Sequence, residues 1–187
     1  VTAKLVASLD RMSAGRFIFG IGGGWNKEEM AHHGVDYDQR FQRMEEQVLA
    51  MQRLWTQDAA EYQGKFVNFT ASWLYPKPVQ TPYPPIILGG ETDYTLKRVV
   101  RYCDGWLPRA RDGFDAEASM NRLRHIAASA GREMQSLSVS VFGAPADPVI
   151  LAGYRAAGIS RAILPLPSVS REKILPILDQ YQALLET

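Results

Sequence analysis

Phe17-Ile18-Phe19-Gly20-Ile21-Gly22-Gly23-Gly24-Trp25-Asn26 decides how this chain folds. An aromatic and branched run, of the kind that fills a buried strand, stops abruptly in glycines, an indole and an amide. Glycine lets a ligand approach the backbone closely, and α/β enzymes bind cofactors where strands open into such loops. The dinucleotide fingerprint G-x-G-x-x-G does not fit. Counted from Gly20 its last position falls on Trp25, and counted from Gly22 it falls on Lys27. The phosphate loop G-x-x-x-x-G-K-[ST] does not fit either.

Outward from this loop, strands and helices alternate. Residues 2–12 read as an amphipathic helix carrying Ala3, Leu5, Val6, Leu9 and Met12, and Ser13-Ala14-Gly15 ends it. A helix is expected over about 38–56, with Phe41, Met44, Val48, Met51 and Trp55 on one stripe and Asp38 as its N-cap. Residues 61–75 read as an excursion with short strands. Five prolines between Pro76 and Pro85 then hold the chain extended. Strand 86–88, helix 93–103, strand 105–107, helix 115–130, strand 137–142, helix 147–157, strand 161–165 and helix 171–185 follow. In the last helix Ile174, Ile177, Leu178, Tyr181 and Leu185 are expected to face inward. One helix followed by five strand–helix units makes an α/β chain with a parallel sheet and right-handed crossovers. Five units suit an open doubly wound sheet or most of a (β/α)8 TIM barrel, which typically takes about 250 residues. The barrel reading makes residues 1–187 one domain, the C-terminal part of a barrel truncated before its fourth strand.

Composition bounds the chemistry. The 187 residues carry a formal net charge of +1, so no global field recruits nucleic acid or an anionic membrane. The single cysteine, Cys103, forms no intrachain disulfide; it fits a reducing, cytoplasmic setting and is expected in the core. His32 and His33 are adjacent, with no third ligand at metal spacing, and no metal site is expected. Arg16 is expected to pair with Asp10 or with helix carbonyls. Ser168 and Ser170 read as caps of the last helix, and Glu28 and Glu29 as first-turn residues of a helix after Asn26.

Three blocks carry a family resemblance: Leu9-Asp10-Arg11-Met12-Ser13-Ala14-Gly15-Arg16 leading to Gly20–Asn26, Pro76–Pro85 leading to Ile87-Leu88-Gly89-Gly90, and Asp104-Gly105-Trp106. In this order and spacing they resemble the bacterial luciferase-like superfamily, and most of all its coenzyme F420-dependent oxidoreductases, with FMN-dependent monooxygenases second. The resemblance implies a barrel binding a flavin or deazaflavin at the C-terminal ends of its strands. It places the cofactor's phosphate region near Gly20, Gly22, Gly23, Gly24 and Asn26 and near Gly89, Gly90 and Thr92. The ring would lie against strands that precede residue 1.

The implied activity is hydride transfer between coenzyme F420 and a small organic substrate, by a homo-oligomer. Oxygen activation on FMN, or a fragment that does not turn over, are the alternatives. No side chain is assigned a catalytic role, which suits an enzyme whose cofactor carries the difficult chemistry. Thr92 can cap a helix or donate to phosphate. Trp25 can wall the pocket. Arg109 and Arg111 are either solvated charges or attractors of an acidic cofactor tail.

Overall fold

The computed structural model describes residues 1–111 and 113–185. The chain divides into two compact units between Ile87 and Leu88.

The first unit runs α1 (Thr2–Met12), β1 (Phe19–Ile21), α2 (Lys27–His32), a 3-10 turn (Tyr37–Gln39), α3 (Arg40–Thr56), β2 (Ala60–Gln63) and β3 (Asn68–Ser72). It ends in β4 (Ile86–Gly89), which continues into the second unit. The carboxylate of Asp10 organises this unit. Asp10 is fully buried. It accepts from the backbone N–H groups of Val79 at 2.7 Å and Gln80 at 2.9 Å, and from the Gln80 side-chain amide at 2.6 Å. The same amide donates to the Phe17 carbonyl at 2.7 Å, so one residue pair ties α1, the lead into β1 and the proline-rich arm.

This network corrects the expected face of α1. Apolar spacing pointed Leu5, Leu9 and Met12 inward, but the helix buries Ala3, Val6, Ala7 and Asp10, and those three are 58%, 46% and 83% exposed. The satisfied carboxylate fixes which side turns in. The small residues beside it admit α3, where the Trp55 indole N–H donates to the Ala3 carbonyl at 2.8 Å. Arg16 bonds the Ser13 carbonyl at 2.8 Å, the helix-carbonyl pairing expected of it.

Lys77 in the arm donates to the carbonyls of Leu54, at 2.8 Å, and of Gln57. It thereby satisfies orphan acceptors at the C-terminal end of α3, where positive charge is favourable. The N-terminus of α3 differs from expectation. Asp38 is not its cap: Asp36 accepts from the Asp38 N–H at 2.9 Å and opens a 3-10 turn that delays the helix to Arg40. The expected stripe of α3 holds, with Met44, Val48 and Trp55 buried.

Strands β2 and β3 pair antiparallel, with Tyr62 opposite Phe69 and their rings stacked. Glu46 of α3 clamps the turn between them by accepting from the N–H groups of Lys65, Phe66 and Val67 at 3.0, 2.7 and 3.1 Å. Burial pushes the Glu46 carboxyl up, but the three donors together outweigh it and hold the group below its ordinary 4.5. A Cβ on Gly64 would collide with this carboxylate.

The second unit runs α4 (Asp93–Tyr102), β5 (Gly105–Leu107), α5 (Ala116–Ser129), a 3-10 turn (Met134–Ser136), β6 (Ser138–Phe142), α6 (Pro148–Ala157), β7 (Arg161–Ile163) and α7 (Arg171–Ala183). Three helices start on side-chain caps: Thr92 accepts from Thr95 N–H, Asp115 from Ala118 N–H, and Asp147 from the N–H groups of Val149 and Ile150. Gly158 ends α6 in the left-handed conformation, at φ 92°, as a C-terminal glycine should. Parallel pairing sets Trp106 beside Val139 and Val141 beside Ala162. Trp106, Leu96, Val99, Leu123, Val139 and Val141 are almost wholly buried.

The last helix departs from expectation. Ile174, Ile177 and Tyr181 are half-buried, but Leu178 is 40% and Leu185 87% exposed. The Tyr181 hydroxyl donates to the Pro165 carbonyl at 2.7 Å. Ser170 stands at the N-cap position of α7 without a capping bond.

The five strands β1, β4, β5, β6 and β7 form one sheet in that order, the parallel α/β arrangement expected. β1, β6 and β7 are shorter than the apolar runs that signalled them, β5 matches its run, and β4 gains Gly89.

Two outcomes follow for the first unit. Asp10→Ala leaves the backbone N–H groups of Val79 and Gln80 without their acceptor and is expected to cost about 2–4 kcal/mol. Urea unfolding should show that loss, with Asp10→Asn less affected. Because Glu46 titrates lower in the fold, its clamp contributes fully above the ordinary carboxylate value and is lost as pH falls through the lowered one. The stability difference between the native chain and Glu46→Gln, measured across the acid range, is expected to shrink as pH drops.

Candidate functional site

In the first unit the glycine loop leaves β1 at Ile21. A Cβ on Gly20 would make ordinary contact with Ile87 at 3.9 Å, whereas Gly22 faces open space within 4 Å. Gly23 has a different reason to be glycine, since a Cβ there would run into the Phe41 ring. Asn26 caps α2: its side-chain oxygen accepts from the Glu29 N–H at 3.1 Å, and Glu28 and Glu29 occupy the first turn as expected. Trp25 is 85% exposed and stands clear of any wall within this unit.

Gly20 and Gly22 line a cavity of about 510 Å³ with Phe19, Met44, Met51 and Phe69. Its lining is mostly apolar, so within this unit it offers a home to an uncharged ring or alkyl group rather than to a phosphate. His32 and His33 are both exposed.

In the second unit Gly89, Gly90 and Thr92 join β4 to α4. Gly90 sits at φ 125°, a conformation that side chains rarely adopt, and a Cβ there would lie 2.8 Å from the Thr95 hydroxyl. Its carbonyl accepts from the Trp106 indole at 2.6 Å. The Thr92 hydroxyl lies 3.2 Å from the Thr95 N–H and 3.1 Å from the Thr95 hydroxyl, so it caps the helix.

Arg109 follows β5, and its bridge to Phe142 places it beside the end of β6. Its guanidinium grips the Glu91 carboxylate with two bonds, of 2.7 and 2.9 Å. Arg122 of α5 donates to Asp93 at 2.5 Å and to the Glu91 carbonyl at 2.8 Å. The hydrogen bond from Arg109 holds the Glu91 carboxyl below its ordinary value; burial opposes this, and the charges of Arg109 and Arg111 reinforce it. Glu91 in turn raises the Arg109 guanidinium. Arg109 and Arg122 thus pair with Glu91 and Asp93 where β4 opens into α4, and the charge of Arg111 acts on Glu91 as well, leaving one positive charge in excess. An anionic group bearing two oxygens suits that surplus.

Sequence reading names Arg109 and Arg111 but not their acidic partners. It misses that Glu91 is held by Arg109 and Asp93 by Arg122. The partners stand 18 and 29 residues apart, and only the parallel strand order brings them together. Cys103 is buried, as expected. Among the described residues no group of three metal-ligating side chains is present.

The charged residues of the second unit fit the anionic end of a flavin-type cofactor, although Arg109 must leave Glu91 to engage it.

Comparison with known proteins is consistent with this chemistry. Residues 1–162 match the luciferase-like monooxygenase family. An uncharacterised protein of Mycobacterium tuberculosis is 36% identical over 184 residues, covering 98% of this chain and 64% of its own length. An FMNH2-dependent dimethylsulfone monooxygenase of Pseudomonas putida is 30% identical over 145 residues, covering 76% of this chain and 40% of its own. The chain therefore spans less than two thirds of the length of these curated relatives. Among solved structures, the coenzyme F420-dependent tetrahydromethanopterin reductase of Methanopyrus kandleri superposes with a TM-score of 0.71 at 17% identity, over 96% of this chain and 77% of the reductase. At that identity the likeness is one of fold. With the family match spanning most of its residues, the chain belongs to the luciferase-like monooxygenases.

Proposed function

We propose that this chain is part of a luciferase-like oxidoreductase that transfers hydride between coenzyme F420 and a small organic substrate, in the cytoplasm and as a homo-oligomer. The observation that carries the cofactor reading is the surplus of guanidinium charge, Arg109, Arg111 and Arg122 against Glu91 and Asp93, where β4 opens into α4. Such a cluster suits the acidic tail of a deazaflavin. A bound deazaflavin or flavin supplies the redox chemistry. The residues of this chain supply position and charge: Arg109 and Arg111 attract the anionic end, Gly90 lets the backbone approach, and Thr92 fixes the start of α4.

FMN is the second reading, favoured by the 30% identity to the FMNH2-dependent enzyme. Among the described residues no helix is long and apolar enough to cross a membrane.

Titration with F420 and with FMN, followed by absorbance and fluorescence of the ring, tests the reading. Saturable binding of F420 with weaker binding of FMN is expected, and no binding of either removes the proposal. Within that assay Thr92 has two separable roles. Thr92→Ala is expected to weaken cofactor binding and to lower unfolding free energy by about 0.5–2 kcal/mol through loss of the cap. Thr92→Ser should retain both. Unchanged affinity in the alanine variant would leave Thr92 as a helix cap alone.

A further inference from the structure

The Glu91–Arg109 pair has the form of an anion site that is already filled. A guanidinium fork binds carboxylate and phosphate with the same paired geometry. Here the carboxylate comes from the chain itself, at 2.7 and 2.9 Å, and the side chains of Arg109 and Glu91 remain 47% and 39% exposed. The pair is within reach of solvent and so of a ligand. Its residues flank the segment named for the cofactor: Glu91 lies between Gly90 and Thr92, and Arg109 follows the strand whose Trp106 bonds the Gly90 carbonyl.

Glu91 is not required to hold the loop through its carboxylate. The backbone there is fixed by the Trp106 bond to Gly90, by Arg122 on the Glu91 carbonyl and by the Thr92 cap. Nor is Arg109 required to neutralise Asp93, which Arg122 engages.

We propose that Glu91 is an internal competitor for Arg109, and that the exchange of its carboxylate for an anionic group of the cofactor sets which cofactors this protein accepts. This rests on the functional reading above and adds to it a determinant of specificity. The exchange trades one charge-assisted pair for another, so it costs little for a ligand that brings its own phosphate or carboxylate. An uncharged analogue gains nothing from Arg109 and leaves the pair closed. Glu91 therefore filters by charge, while the rest of the site recognises the ring.

FMN and riboflavin, which differ by one phosphate, are the probes. In the native chain FMN is expected to bind more tightly than riboflavin. Glu91→Gln frees Arg109 and is expected to raise the FMN-to-riboflavin affinity ratio about three- to tenfold, the scale of one net hydrogen bond. Arg109→Gln should lower the ratio below that of the native chain. Riboflavin affinity itself should hardly change in either variant, which a merely structural role would not predict. A ratio that is unchanged in both variants, or that falls in both, overturns the proposal; a fall in both would mean that the intact pair is what the ligand needs.

Inorganic phosphate tests the exchange without any ring, read by the Arg109 Nε–H resonance. A phosphate-dependent shift that strengthens in Glu91→Gln supports the competitor, and equal shifts in the two proteins sink it. If neither FMN nor F420 binds the native chain, the functional reading fails, and the phosphate result still decides the pair.

Discussion

A single buried carboxylate holds the first half of this chain together. Asp10 is satisfied by three N–H donors from two consecutive residues almost seventy positions away. A buried carboxylate without donors would be prohibitively costly, and one with three is a strong geometric constraint. It determines which face of α1 is inward and where the proline-rich arm runs. Through Gln80 it also positions the segment that becomes β1. Lys77, three residues from Gln80, closes the end of α3 in the same stroke. The glycine loop after β1 is therefore presented by a frame built on polar contacts as much as on apolar burial.

This explains the division of labour among the three sequence blocks that signalled the family. The first two blocks meet at Asp10 and are chiefly structural. Arg16, Ser13 and Asp10 close the end of α1, Val79 and Gln80 donate to Asp10, and Lys77 closes the end of α3. The third block serves the second unit, where Trp106 is a buried partner of the Gly90 carbonyl. The ion-paired residues Glu91, Arg109 and Arg111, proposed to meet an anionic ligand, lie outside these blocks.

Much of the fold was readable because strands and helices alternate with clear punctuation. Gly131, Gly158, Asp115 and Asp147 mark helix ends, and periodicity fills the rest. The errors share one physical origin. Apolar spacing on α1 pointed to Leu5 and Leu9, but a carboxylate with remote partners outweighed it. Apolar spacing on α7 counted Leu178 and Leu185 as core, although a helix face is buried only where another element covers it. Asp38 resembled an N-cap, yet Asp36 offered its own side chain two residues earlier. At the candidate site the glycines and Thr92 could be named from local pattern. The ion pairs could not, because their partners come from separate strand–helix units.

The distance along the chain between Asp10 and its donors also orders events in time. Closing a loop of roughly seventy residues carries an entropic cost that only long-range contacts repay, so such contacts form late. During synthesis at about 5–20 residues per second, α1 emerges several seconds before the Val79-Gln80 segment exists. Through that interval its carboxylate is hydrated and its apolar flank has no fixed orientation. The arm is thus the component whose arrival commits the nascent chain to its native topology. A ribosome pause placed just after it would favour correct assembly, and one placed before it would prolong exposure of an uncommitted helix.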